Sequence, residues 1–437
     1  MSDLLATLFN DFDRGRLTRR QLLQALGIAA AARPVSALAF GQGSCGGARA
    51  GTPGCDTTPA QLPFEPTGWR TVLLDHFSMQ VADYEKEAAY FAALMNWKVR
   101  SDDGTKAVLD IGDWGGLVLR GGYQAPPPPP TPPPAPAPPA GDAAAAAAGG
   151  TAAGAAGAGR GAGRGGGGGG PRIPRLSVVD GFCWGIDPWD AKKVEAALKT
   201  RGLTPIADND GKDFQSFHVK DPDGFDLQIS NGNLKNRRKG AANGKLSVAA
   251  PFEATNWKTL WLDHISFQCT NYKESVAFYQ ALLGWKPGPD EGSQNQCEIG
   301  DVGGIIIRRG GGGGGRGGAA ATPPAAPPPR HVTIDHISFG ITPWDVDVVR
   351  AELEKRNLSL SADSGGSKGP NPADAEKAME DKLGHALTSL DRQVADMHGA
   401  GYQSYHTTTP NGYNLQISFV TKATRNAGSA PGGGGLI

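Results

Sequence analysis

The sequence predicts an α+β fold built from four βαβββ modules, which form two domains with mixed sheets. Three observations predict it: a segment that recurs after 188 positions, a fainter repeat in the intervals, and a strand–helix–strand pattern in every copy. The strong repeat needs no gap, since 76 + 188 = 264 aligns His76 with His264 and 120 + 188 = 308 aligns Arg120 with Arg308.

The fainter repeat fills the intervals and sets the order of the modules. Residues 178–232 and 333–420 both carry Pro-Trp-Asp near the start and Leu-Gln-Ile-Ser near the end. Two types of module therefore alternate along the chain: modules one and three are of one type, and modules two and four are of the other. Trp189 and Trp344, in the two Pro-Trp-Asp turns, are interpreted as residues that pin a helix to its sheet.

The opening strand of each module alternates strictly between polar and apolar residues. In the third module His264 and Ser266 share one face, whereas Ile265 and Phe267 share the other. The apolar face is expected to pack on the helix that follows, and the polar face to look into a wetter space. Apolar residues at helical spacing predict these helices at 83–95, 189–201, 271–283 and 344–356.

Composition shifts divide the chain. We predict two domains at 67–232 and 255–422, joined by a linker at 233–254. Pro-, Ala- and Gly-rich tracts cannot bury enough apolar surface to offset chain entropy, and they are interpreted as disordered linkers within the domains. The four modules cover 67–120, 172–232, 255–309 and 330–422, and linkers at 121–171 and 310–329 lie within the two domains. An irregular segment at 40–66 precedes the first domain, and a flexible tail at 423–437 follows the second.

The N-terminus has the features of an export signal. Thr18-Arg19-Arg20-Gln21-Leu22-Leu23 resembles the twin-arginine motif, and an apolar run and Ala37-Leu38-Ala39 follow. We expect cleavage after Ala39, which removes residues 1–39 and places the protein in the periplasm or outside the cell. The run is too short for a membrane span, so no stable membrane insertion is expected after cleavage. An amphipathic cytoplasmic helix is the alternative.

Net charge bears on the class of partner, and the positions of the cysteines indicate their roles. The formal net charge is zero, which argues against nucleic acid as the main partner. Cys45 and Cys55 could pair in an oxidising compartment. Cys183, Cys269 and Cys297 lie in predicted strands and are interpreted as small core residues.

Two motifs carry a family resemblance. Paired modules with Asp-His-Ile-Ser opening one strand and Asp-Pro-Asp-Gly-Phe-Asp-Leu-Gln-Ile (221–229) closing another resemble the vicinal oxygen chelate superfamily. That superfamily includes glyoxalases, bleomycin resistance proteins and extradiol dioxygenases. The resemblance implies U-shaped sheets around a cavity, with metal ligands (His, Glu or sometimes Gln) from the first and last strands of the modules.

Carried over residue by residue, the resemblance implies a metal site in the C-terminal domain. His264 and His336 match the first-strand ligands, and Gln416 stands where the family usually has Glu. The expected cofactor is a divalent ion (Fe, Mn, Zn or Ni, not distinguishable) or none. Because this ligand set is neutral, the ion would keep its charge and favour an anionic substrate with vicinal oxygens.

Three functions stay open at this point. One is a metal-dependent lyase, isomerase or ring-cleaving dioxygenase. Another is a metal-free protein that binds a small molecule or sequesters a drug. The third is a purely structural tandem. Whether the chain is an enzyme is therefore undecided from the sequence.

The other candidate residues are weaker. His406 is proposed as a general acid or base, although His218 occupies the same place in module two, so a structural role competes for both. In the N-terminal domain His76 is kept, Gly181 replaces the second histidine and Gln228 replaces the acid; with His218 these are interpreted as a degenerate site. About 30 extra residues of module four, 364–400, are either a lid or a surface decoration.

Overall fold

The computed structural model of the chain describes residues 57–125, 174–209, 213–233, 241–310, 330–365 and 368–419. The described residues do not include the predicted signal peptide, Cys45, Cys55, nearly all of the two low-complexity linkers or the predicted tail. Within these residues, no helix combines the length and apolar character that crossing a membrane requires.

The N-terminal domain contains two modules. The first consists of β1 (Arg70–Val81), α1 (Tyr84–Leu94), β2 (Lys98–Asp102), β3 (Lys106–Ile111) and β4 (Gly115–Arg120). The second consists of β5 (Ser177–Asp187), α2 (Ala191–Thr200), β6 (Ile206–Ala207), β7 (Ser216–Lys220) and β8 (Asp226–Ser230).

The C-terminal domain repeats this order and adds two helices. Its first module consists of β9 (Lys258–Cys269), α3 (Tyr272–Leu283), β10 (Lys286–Asp290), β11 (Gln294–Ile299) and β12 (Gly303–Arg309). Its second consists of β13 (Val332–Thr342), α4 (Val346–Lys355), β14 (Ser361–Asp363), α5 (Pro372–Leu383), α6 (Ser389–Met397), β15 (Ser404–Thr408) and β16 (Asn414–Ser418).

Each domain has one eight-stranded mixed sheet. The strand orders are β2-β3-β4-β1-β5-β8-β7-β6 and β10-β11-β12-β9-β13-β16-β15-β14. The first strands of neighbouring modules pair antiparallel, β1 with β5 and β9 with β13, and the last strand of a module runs parallel to its first. Module one therefore pairs with module two and module three with module four. The predicted α+β fold of four βαβββ modules is confirmed.

The four predicted helices are present but start later than predicted, because a capping residue precedes each one. Asp83, Asp190, Asn271 and Asp345 are extended, and each side chain accepts a hydrogen bond from a backbone N–H in the first turn. The two tryptophans lie just before a helix, and each contacts the residue that precedes a strand of the sheet. Trp189 donates to Gln215 and Trp344 donates to Gln403.

The two sheets share a core through their apolar faces. Phe77 of β1 and Phe339 of β13 lie with ring centroids 6.2 Å apart. Two buried hydrogen bonds cross the interface symmetrically: Trp97 donates to Thr259 Oγ1 at 2.8 Å and Trp285 donates to Thr71 Oγ1 at 3.0 Å. The polar faces consequently point away from each other, and each domain has its own polar centre.

Buried hydrogen bonds connect modules that do not share a sheet. Tyr279 of α3 donates its hydroxyl to Asp221 in the turn of module two at 3.0 Å. Glu87 of α1 accepts from the side chain of Asn411 in the turn of module four at 2.8 Å. Sheets thus join modules one and two or three and four, whereas helix–turn contacts join three with two and one with four.

The insertion in module four docks on a helix. Arg350 of α4 bonds Asp391 of α6 at 2.8 Å, and Lys382 of α5 bonds Asp347 of α4 at 2.9 Å. These contacts attach α5 and α6 to the helical layer of the module. Both interpretations of residues 364–400, a lid and a surface decoration, stay open.

Candidate functional site

The polar face of the C-terminal sheet brings two predicted ligands together. His264 of β9 and His336 of β13 lie on neighbouring antiparallel strands, at a point where the register shifts beside Asp335. Their Nε2 atoms are 3.1 Å apart, and their rings are nearly perpendicular at 80°. The side chains are almost fully enclosed, since His264 is 2% exposed and His336 is 8% exposed.

Each histidine is oriented by the aspartate that precedes it. The Nδ1 atom of His264 lies 2.7 Å from Asp263, and that of His336 lies 2.7 Å from Asp335. Asp263 also accepts a hydrogen bond from the Tyr402 hydroxyl at 3.1 Å. When both Nδ1 atoms carry the proton and donate it to these carboxylates, both Nε2 atoms present lone pairs to each other.

Burial disfavours the protonated form of His336. It lowers the pKa of His336 to about 3, even though the bond to Asp335 acts in the opposite direction. The hydrogen bond from His336 in turn lowers the pKa of the Asp335 carboxyl. The pair is therefore a neutral imidazole beside an anionic carboxylate at neutral pH, which is the form that ligates metals.

The centre of this face is drier than predicted. Ser266 and Ser338 flank the histidines and have no measurable exposure. Among the described residues, the buried hydroxyl of Ser266 has no hydrogen-bond partner. The face opens towards solvent at Asp335 and His406, whose side chains are 40% and 18% exposed.

Gln416 of β16 lies on the strand next to β13, paired with Ser338 and opposite His406 of β15. Its Nε2 atom donates to Ser404 Oγ at 2.8 Å. Its Oε1 atom is buried, and no group in the described part of the chain donates to it. Gln416, the predicted third ligand, thus lies on the same face of the sheet as His264.

His406 lies at the rim of the centre. Its ring centroid is 5.0 Å from that of His336, and its Nδ1 atom lies 3.0 Å from Asn414 Oδ1. Its Nε2 atom lies 3.7 Å from the carboxylate of Asp363. Burial acts to raise the pKa of Asp363, but the bond from His406 helps to outweigh it and the pKa is lowered. A partly exposed imidazole beside an anionic carboxylate can hold and pass on a proton.

The N-terminal domain contains a cluster that sequence reasoning missed. Asp75, His76 and Cys183 each offer one ligand atom, and these atoms all lie within 4.8 Å of one another. His76 and Cys183 are directly opposite on β1 and β5. Cys183 is fully buried, as predicted for a core residue, but it lies on the face of His76. Its position two residues after Gly181 in an alternating strand was the available signal.

The other residues of the predicted degenerate site are held in a polar network. His218 bonds Asp226 at 2.7 Å and Asp208 at 3.3 Å, and the hydrogen bond with Asp226 raises the pKa of His218. Gln228 donates to Ser216 at 2.8 Å. These contacts support the structural alternative for His218.

No family model matches the sequence, and no curated protein matches it. Solved structures similar to this chain include the Mn(II)-bound glyoxalase from Novosphingobium aromaticivorans, with 13% identity, 80% of this chain and 82% of that chain covered, and a TM-score of 0.44. A catechol 2,3-dioxygenase gives 12% identity, 80% and 88% coverage, and a TM-score of 0.43. The homoprotocatechuate 2,3-dioxygenase from Arthrobacter globiformis gives 14% identity, 83% and 82% coverage, and a TM-score of 0.41. At these identities and TM-scores, the similarities assign no activity to this chain.

Proposed function

We propose that the C-terminal domain is a divalent-metal-dependent enzyme, a lyase, isomerase or ring-cleaving dioxygenase, that acts on a small substrate with vicinal oxygens. One observation carries the proposal: two imidazoles bring their Nε2 atoms within 3.1 Å of each other in a nearly dry site. When both Nδ1 atoms carry the protons, these two nitrogens are acceptors that repel each other, and a cation between or beside them removes that repulsion.

The residues present fit a metal ion. His264 and His336 would hold it, and the buried acceptor oxygen of Gln416 lies on the same face. When bound, the ion would polarise a pair of vicinal oxygens. Asp263 and Asp335 orient the two rings, and such outer carboxylates also increase the basicity of the imidazoles that ligate metal.

The charge of the ligand set selects the substrate. Two imidazoles and an amide are neutral, so the ion would keep its double charge in a site of low dielectric. An enediolate, catecholate or 2-oxoacid supplies the missing anion. His406, at the open rim, is positioned to exchange a proton with such a substrate.

Export is part of the proposal. The twin-arginine-like segment supports translocation to the periplasm or beyond, with a small molecule as the partner and a monomer or homodimer as the working form. Immunoblotting of cell fractions for the full chain and for an Arg19→Lys/Arg20→Lys variant tests the export step. Equal distribution of the two proteins between fractions would contradict it.

Metal content tests the assignment of the site. The purified full chain would be incubated separately with Mn²⁺, Fe²⁺, Zn²⁺ and Ni²⁺, dialysed, and analysed by mass spectrometry, together with a His264→Ala/His336→Ala variant. The variant should lose about one equivalent of metal. His385→Ala is the control, because His385 is exposed and its Nδ1 atom lies 3.0 Å from the carbonyl of its neighbour Ala386. Unchanged metal content in the double variant would refute the site.

Metal-free capture of a small molecule is the second candidate. It is favoured by Gln416, because an amide is a weaker ligand than the acid usual at this position. Calorimetric titration of catechol into chelator-treated protein separates the two functions. Binding that is equally tight with and without metal would support capture, and binding that requires metal would support the enzyme.

A further inference from the structure

The polar centres of the two domains differ at three positions that bear on metal binding. Gly181 stands where the C-terminal domain has His336, Cys183 where it has Ser338, and Phe214 where it has Tyr402. The loss of an imidazole therefore coincides with the gain of a thiol two residues further along the same strand face. Tyr402 donates its hydroxyl to Asp263, whereas Phe214 at the corresponding position carries no hydroxyl.

The ligand atoms of Asp75, His76 and Cys183 lie close together. Asp75 and His76 lie 2.8 Å apart through Oδ1 and Nδ1, and one ligand atom from each of Asp75, His76 and Cys183 fits within 4.8 Å. A tetrahedral ion with bonds of about 2.0–2.3 Å separates its ligands by roughly 3.3–3.8 Å. Small side-chain movements would close the observed cluster around such an ion.

We propose that Asp75, His76 and Cys183 form a second metal site, which takes a thiophilic divalent ion of the zinc type. Thiolate ligands select zinc over manganese or magnesium. A carboxylate and a thiolate together carry two negative charges, which balance the ion, whereas His264, His336 and Gln416 carry none. Three protein ligands leave a fourth position open. This site is independent of the function proposed for the C-terminal domain.

Cobalt substitution tests the site through its thiolate. Co²⁺ would be titrated into the chelator-treated full chain, and the thiolate-to-cobalt charge-transfer band would be followed in the near ultraviolet. We expect the band in the unaltered protein and in His264→Ala/His336→Ala, and its loss in Cys183→Ser. Serine suits the position, because the C-terminal domain carries Ser338 there.

Matched cysteine variants define the controls. Cys269→Ser and Cys297→Ser change buried thiols of the other domain and should retain the band. His76→Ala removes a second ligand without altering a cysteine, and it should weaken the band in parallel. Absence of a band in the unaltered protein, or an undiminished band in Cys183→Ser, would overturn the proposal. Either result would leave the His264–His336 site untouched.

Discussion

The Nε2 atoms of His264 and His336 lie 3.1 Å apart, although 72 residues separate the two histidines in the chain. Each ring is oriented from behind by an aspartate, so the two nitrogens that face each other are acceptors when the Nδ1 atoms carry the protons. This relationship depends on the antiparallel pairing of β9 with β13 and on the register shift beside Asp335. A metal site here is a property of the paired modules rather than of either one.

Removing the carboxylate behind His336 should weaken metal binding. In Asp335→Ala the imidazole loses its acceptor and its fixed orientation, and affinity for metal at the C-terminal site should fall about 10- to 100-fold. Calorimetric titration measures it. Asp180→Ala is the matched control, because Asp180 is the corresponding residue of β5 and instead bonds Arg120. Equal losses in both variants would indicate a general effect on the fold.

Restoring an acid at Gln416 should strengthen metal binding. Gln416→Glu adds a negative charge where the amide oxygen is buried, and it replaces the amide that donates to Ser404 Oγ. We expect the affinity for metal at this site, measured by calorimetric titration, to rise at least several-fold. Gln228→Glu makes the same change in the other domain and should leave the affinity for metal at His264 and His336 unchanged. No gain in Gln416→Glu would remove Gln416 from the ligand set.

Alternation along single strands was sufficient to predict much of this architecture. It identified the strands and the shared face of His264 and Ser266, because a period of two is a local property, and apolar residues at helical spacing identified the helices. The register shift beside Asp335 depends on the pairing of two distant strands, so alternation could not predict it. The same holds for hydrogen bonds between modules of different sheets, such as the bond from Tyr279 to Asp221.

Cys183 shows a different limit. A cysteine in a strand is usually a small apolar residue, and its burial agrees with that interpretation. Only the pairing of β5 with β1 places its thiol opposite His76. The interpretation of the N-terminal site as degenerate, with His76, His218 and Gln228, therefore omitted this thiol.

The crossed tryptophan bonds should contribute to stability. Thr259→Val leaves the indole N–H of Trp97 buried without its acceptor, which should cost about 1–3 kcal/mol in the free energy of unfolding. Thr71→Val should have a similar effect through Trp285. Urea unfolding of Thr259→Val, Trp97→Phe and the double variant isolates the pair. Strict additivity of the two single changes would show that this bond contributes nothing.

Stability should fall as pH rises through the titration of Asp221. Burial raises the pKa of this carboxyl from 3.8 to about 6, despite the hydrogen bonds from Phe225 and Tyr279 that oppose the shift. The folded state therefore binds the proton more tightly than the unfolded state does. The contribution is complete below about pH 4 and is lost as pH rises through about 6, with a maximum of about 3 kcal/mol.

Asp221→Asn removes this titration while keeping the shape of the side chain. Its Oδ1 atom can still accept from the backbone N–H of Phe225, and its amide can donate to the Tyr279 hydroxyl oxygen. Urea unfolding at pH 4, 6 and 8 should therefore show a smaller decline for the variant, which should be the more stable protein at pH 8. Asp381→Asn is the control, because that carboxylate is 69% exposed and should leave the decline unchanged. A decline in Asp221→Asn equal to that of the unaltered protein would assign the pH dependence to other groups.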